Sequence, residues 1–262
     1  MVVYAAQGDA ARSMALLWQG TSADLPKPGP KQGLDLAGVV TAAIEVADAE
    51  GMAALSMRAV GQRLGRTAMA LYTYVPNKNE LLDLMYDRVL TELPTEYDLT
   101  AGWRAAITAW AEDTWDFYLR HPWVLQVSQA RPVLGPGEFT VMETMLRLLF
   151  GTGLDTETVR RLAGALAQYV RGAAQPGAES RQSLAVTGVS DDDWWYARSA
   201  QLGTVAPDFR ERFPLLGKLD QTPPPDDHGD QPYLEWEARK SFEVGLAVLL
   251  DGVAARRIQA GL

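Results

Sequence analysis

Residues 57–78, MRAVGQRLGRTAMALYTYVPNK, leave few folds open to this chain. Met57, Val60, Gly61 and Leu64 recur at i, i+3, i+4 and i+7, the spacing of one helix face. Gly65 follows, a residue that readily takes the left-handed turn closing a helix. Thr67 is placed to cap a second helix over 68–74, and Pro76 stops it. On that second helix Leu71 and Val75 point one way, and Met69, Ala70 and Thr73 the other. A helix this short cannot stand alone, so it must lean on the first helix and on a third. In a helix-turn-helix, the free edge of the second helix is the part that enters a major groove.

Charge sharpens the reading. Between Gly51 and Asn79 there is no Asp or Glu, while Arg58, Arg63, Arg66 and Lys78 are all present. The whole chain carries −9, and residues 91–262 hold 16 basic against 24 acidic side chains. An acidic bulk repels nucleic acid from everything except this basic stretch. Tyr72 and Tyr74 flank its tip, where hydroxyls suit phosphates. Lys78 stands at the start of another helix, where backbone N–H groups also favour an anion. Helix-turn-helix pairs serve elsewhere as plain packing units; the segregated charge is what favours DNA here.

The runs 55–65, LSMRAVGQRLG, and 69–78, MALYTYVPNK, resemble the DNA-binding domain of the tetracycline-repressor (TetR) family of bacterial transcriptional regulators, over about residues 34–93. The resemblance implies that Arg58 and residues Thr67, Ala68, Met69, Ala70, Tyr72 and Thr73 meet DNA, with Tyr72 and Lys78 holding phosphates. A His is common in the family where Tyr74 stands, which leaves Tyr74 a looser member of the set. Ala68, Met69 and Ala70 cannot make bidentate contacts to bases, so methyl contacts and Arg58 would dominate readout.

Along the rest of the chain the patterns are helical, and the expected fold is all-α. Residues 1–33 look like a flexible N-terminal extension. Its stretch 25–33, LPKPGPKQG, excludes regular structure, and Lys27 and Lys31 would suit a minor-groove arm if it is not simply a disordered leader. Met14 is an alternative start. Leu36, Val39, Val40, Ala43, Ile44 and Ala47 mark an amphipathic helix capped by Asp35 and ended by Gly51. Asn77 opens the next helix with Glu80 in a variant capping box, its stripe is Leu81, Leu84, Met85 and Val89, and Pro94 ends it. A helix over 100–120 carries Trp103, Ile107, Trp110, Thr114 and Phe117, and a short helix near 123–128 follows His121-Pro122, with His121 read as a capping or surface residue. Gly135-Pro-Gly137 reads as a hinge-like turn. Residues 139–150 then place Met142, Met145, Leu146 and Leu149 inward, and the run 141–147 resembles the matching helix of the tetracycline repressor's ligand-binding half. Asp155 caps a helix to about Ala174, and 175–190 read as a polar loop. The acids 191–193 are first-turn residues of a helix rather than a metal cluster. Short helices over 194–219, split by Pro207 and Pro214, precede a flexible loop over 220–232 and a long helix over 233–259, in which Phe242, Leu246, Leu249, Leu250, Val253 and Ala254 share a side.

These elements give an extension over 1–33, a DNA-binding head over 34–80 and a ligand-binding and dimerisation body over 81–262. Cysteine is absent, which removes disulfides and thiolate metal sites and fits a reducing cytoplasm. No apolar run approaches the roughly 20 residues that span a bilayer. HExxH, GxSxG, Walker and GxGxxG motifs are missing, and the two histidines, His121 and His228, supply little for catalysis; the chain reads as no enzyme, with no cofactor and no metal. The expected function is a ligand-responsive repressor on a pseudo-palindromic DNA operator, acting as a homodimer. The alternative is a helical small-molecule-binding or interaction protein that does not use its head. Trp110, Thr114, Met142, Met145 and Tyr169 are the expected lining of a pocket for a large, mainly apolar or aromatic effector.

Overall fold

The computed structural model describes residues 3–19, 34–219 and 231–262, and among these every regular element is a helix. One isolated parallel bridge, Val3 with Val127, is the sole extended pairing among them. The chain divides into two compact units: Met1–Arg171 with Leu249–Leu262, and Gly172–Val248. The basic stretch 25–33 and most of the loop expected over 220–232 lie outside the described residues.

In the first unit, α1 (Ala10–Gln19) precedes α2 (Leu36–Glu50). Asp35 caps α2 by accepting from Gly38 N, and Gly51 closes it, as the sequence predicts. α3 (Met57–Arg63) starts at Ser56, whose side chain accepts from Ala59 N at 3.1 Å. α4 is a single turn, Ala68–Leu71, and the chain leaves it through further turns at Tyr74 and Val75. α5 (Lys78–Leu90) is capped by Asn77, which accepts from Asn79 N and Glu80 N. Thr91 closes α5, three residues before Pro94, where the sequence places its end.

α5 is buried on nearly every side, not on one stripe. Glu80, Asp83 and Asp87 are buried along with Leu81, Met85 and Val89. The N-terminal residues 3–19, expected as part of a flexible leader, cover its polar side. Ala6 N donates to Asp83 Oδ1 at 2.7 Å, Asp9 N to Glu80 Oε1 at 3.4 Å, and Ala5 and Leu17 are buried. Glu80 therefore holds the leader and does not close the capping box expected of it. Further along, Val3 exchanges hydrogen bonds with Gln126 O and Ser128 N, and Trp18 Nε1 donates to Leu134 O at 2.9 Å.

α6 (Trp103–Arg120) ends at His121 and runs into a 3₁₀ turn, Pro122–Gln126. α7 (Pro136–Phe150) begins three residues before the expected position, so Gly135-Pro-Gly137 is the start of a helix and not a hinge. The reason is a cap from another element: Asp87 of α5 accepts from Glu138 N at 2.9 Å, at the positive end of α7. A Cβ on Gly137 would sit 2.1 Å from Asp87 O, so only glycine permits this approach. α8 (Thr156–Thr187) starts in this unit, where its Leu162, Ala165 and Leu166 meet Leu149 and the Leu249, Leu250 and Val253 of α12 (Tyr233–Gln259).

In the second unit α8 continues through Pro176 to Thr187, where the sequence predicts a loop. Proline removes one helical N–H and crowds the carbonyl four residues back, a local cost. Side chains after the proline offset it: Arg181 grips the buried Glu235 at 2.6 and 2.7 Å, and Ser180 and Ser183 donate to Asp191. The arginine holds the Glu235 carboxyl below its ordinary range despite the opposing effect of burial. α9 (Asp191–Val205), α10 (Phe209–Arg212) and α11 (Pro214–Leu219) follow, with Ser190 as the cap of α9 and the three acids in its first turn. No residue of these three helices is buried, and Trp195 and Tyr196 are exposed.

Candidate nucleic-acid interface and effector recesses

The head is built by a close approach of two short helices. Leu64 is the last residue in helical conformation and Gly65 turns the chain at φ +64°. Arg66 N then donates to Gly61 O at 2.8 Å. A Cβ on Gly61 would lie 2.8 Å from Arg66 O, so glycine lets the turn close onto α3. Leu71 and Val75 are fully buried beneath the tip, which anchors α4 and fixes its outer edge.

That outer edge carries the predicted residues. Arg58, Thr67, Met69, Tyr72, Thr73 and Lys78 are exposed, and Ala68, Ala70 and Tyr74 are half-buried beside them. Met69 is 75% exposed, an apolar side chain with nothing of its own chain to cover it. The Thr67 side chain makes no capping bond to α4, which leaves its hydroxyl available, contrary to the capping role the sequence predicts. Tyr72 and Thr73 lie beyond the regular helix, on the turns that follow its single helical turn. Of the cations, Arg63 is engaged by Glu45 of α2 at 2.6 Å. Arg58, Arg66 and Lys78 form no ion pair among the described residues. Positive side chains left unpaired at the surface of an acidic protein make an electrostatic footprint for phosphate.

The five expected effector residues are spread over α6, α7 and α8. Met142 and Met145 share a groove of about 420 Å³ between α7 and α8, with Phe150, Val159, Ala163 and Ala167 among its walls. Its size falls in the roughly 300–1,000 Å³ range of small-molecule sites. Met142 is exposed there, not turned inward as expected. Trp110 is 4% exposed and Thr114 spends its hydroxyl on Trp110 O at 2.7 Å, so both belong to the packed interior of α6. Tyr169 is half-buried and lines neither of the two recesses described here.

A second recess, about 390 Å³, was missed by pattern reading. Its wall is 125–130 and its floor includes Gln168 and Arg171 of α8. Arg171 donates to the carbonyls of Val124, Leu125 and Val127 and lies 5.9 Å from the ring of the buried Tyr118. Burial pushes the Tyr118 phenol up, with Arg171 pulling it the other way. This wall is the segment that pairs with Val3. No periodicity marks such a site, because its donors meet backbone carbonyls of an irregular loop.

Comparison with known proteins agrees with the helical fold. Residues 39–85 match the family described as bacterial regulatory proteins, tetR family, and residues 97–257 match the tetracyclin repressor-like C-terminal domain. The HTH-type transcriptional repressor DrrR1 of Streptomyces coeruleorubidus is 42% identical over 95% of this chain and 89% of its own length. An HTH-type transcriptional regulator of Saccharopolyspora erythraea is 29% identical over 83% of each chain. Among solved structures, ActR of Streptomyces coelicolor in complex with actinorhodin superposes with a TM-score of 0.65 at 28% identity, covering 86% of this chain and 99% of that one. Apo ActR gives 0.64 at 26%, over 88% and 99%.

Proposed function

The chain belongs to the TetR family of bacterial transcriptional regulators, and is thus a DNA-binding regulator and not an enzyme, and we propose how its parts divide that work. The head over 34–80 binds an operator with Arg58, the 67–74 edge and Lys78. Tyr72 and Lys78 take phosphates, Arg58 reads bases, and Met69 and the alanines offer methyl-sized contacts. The observation that carries this reading is the exposed, acid-free edge whose Arg58, Arg66 and Lys78 have no carboxylate partner among the described residues.

The body over 81–262 pairs two copies and takes the effector, acting in the bacterial cytoplasm where the operator lies. The predicted stripe of α12 is spent largely within the chain, since Phe242, Leu246, Leu250 and Val253 are buried. Val244 and Val248, one turn apart and exposed, are among the residues left for a second copy. A two-fold dimer then calls for a pseudo-palindromic operator with half-sites about one helical turn, or a multiple, apart. ActR is solved with actinorhodin bound, which supports a small molecule as the effector here too. The groove between α7 and α8 suits a large, mainly apolar or aromatic compound. An effector lowers operator affinity only by binding one spacing of the heads better than the other.

The test is selection of bound duplexes from a random pool, followed by binding of the recovered sequence at several salt concentrations. The expected result is a palindromic consensus whose affinity falls steeply with salt. Recovery of no preferred duplex would favour a helical binding protein that leaves its head unused.

A further inference from the structure

The chain contains two histidines, and one of them, His121, closes α6 where that helix meets the head. It is 7% exposed. Its Nδ1 lies 2.9 Å from Asp48 Oδ1 and its Nε2 lies 3.0 Å from Glu92 Oε2. Asp48 is in the last turn of α2, and Glu92 stands just past the end of α5. Trp123 Nε1 donates to the same Asp48 oxygen at 2.8 Å. The first helix of the head, the exit of α5 and the corner after α6 therefore meet at one imidazole.

The hydrogen bonds fix the charge of that ring. A carboxylate only accepts, and a neutral imidazole has one N–H and one bare nitrogen. Neutral His121 would satisfy one acid and set a lone pair against the other. Both contacts are satisfied only when both nitrogens carry protons. The charged groups at the site are Asp48 from α2, Glu92 beyond α5, and Arg120 of α6, whose Nη1 lies 3.5 Å from the same Glu92 oxygen. The Phe117 ring, 5.2 Å away, adds packing and no charge. With two acids and Arg120, the cluster is electrically balanced only if His121 is an imidazolium.

We propose that His121 is a positioning residue for operator binding: a proton-bearing clamp that fixes α2 of the head against the exit of α5, so that its charge sets how firmly the head is held. This rests on the DNA-binding reading above. Burial alone lowers the imidazole's affinity for a proton, but the hydrogen bonds and charges of Asp48 and Glu92 outweigh it, and the net direction is upward. The stabilisation is fully present below the unfolded value of about 6.5 and is lost as pH rises through the higher folded value. Above that point the head loosens. A duplex that needs two heads at fixed spacing then binds less well, because the lost freedom must be given up on binding.

The experiment uses the full chain. With two histidines, the ring signals can be assigned by comparison with His121→Gln and titrated by NMR. Binding of the duplex recovered by the selection is then measured from about pH 6 to 9 at constant salt, where an imidazole is the titrating group in question. The wild type should lose affinity roughly threefold or more, in step with the ring titration, and H121Q should be flat. Asp48→Asn and Glu92→Gln should each move the step to lower pH, with helical content unchanged by circular dichroism. A ring that titrates at or below the ordinary value overturns the clamp, and so does a pH step that H121Q retains. If no duplex is recovered, the DNA-binding reading fails, while the ring titration and the pH dependence of the melting temperature still decide whether the clamp exists.

Discussion

At the level of single side chains, the proposed DNA contacts divide into those for affinity and those for selectivity. Lys78 is exposed and has no carboxylate within reach among the described residues. Lys78→Ala should weaken binding to all duplexes alike and lower the salt slope by about one, and Tyr72→Phe should weaken binding without changing preference. Arg58→Ala should cost about 1–3 kcal/mol and relax preference at one base position; a uniform loss across sequences, measured by competition, would make Arg58 a phosphate contact only. Trp110 belongs to a different argument. Its side chain is buried against α6's neighbours, so Trp110→Ala should lower stability by about 3–5 kcal/mol in a denaturant melt before any effect on effector response can be read. Met142→Ala, at an exposed wall of the α7–α8 groove, should leave the melt nearly unchanged and alter the effector response.

Among the helices, α5 is the junction. α2 packs on it from the head, α7 is capped by its Asp87, and residues 3–19 cover Glu80 and Asp83. Burial raises the pKa of both Asp83 and Asp87, against hydrogen bonds from backbone N–H groups that lower it. Gly137→Ala would force a methyl group to within 2.1 Å of the Asp87 carbonyl. Separating α7 from α5 to relieve it should cost about 1–3 kcal/mol, seen as a lower melting temperature with α-helical content retained. The sequence foretold α5's apolar stripe and its Asn77 cap, because both are local. It missed the burial of Glu80, Asp83 and Asp87, since acids read as a solvated face until another segment is known to cover them. The same cause explains α8: composition breaks it after Ala174, and the Arg181–Glu235 pair, spanning 54 positions, carries it on to Thr187.

Across the whole molecule, the proposed function depends on two heads held at one spacing. If α12 pairs two copies through Val244 and Val248, the double substitution Val244→Glu, Val248→Glu should yield monomers by sedimentation. It should also abolish the preference for palindromic duplexes while sparing weak, salt-sensitive binding by single heads.

The chain's order of residues determined the helical class, the head and the exposed set from Arg58 to Lys78. Those follow from periodicity, from glycine and proline at turns, and from an interval free of acids, all of which act over a few residues. Only tertiary structure decided that residues 3–19 lie over α5 and that Trp110 and Thr114 are core while Met142 lines a groove. It alone brought His121, an apparent helix-end residue, between Asp48 and Glu92. These outcomes depend on segments distant in sequence competing to cover the same buried polar atoms, and no local pattern records which segment wins.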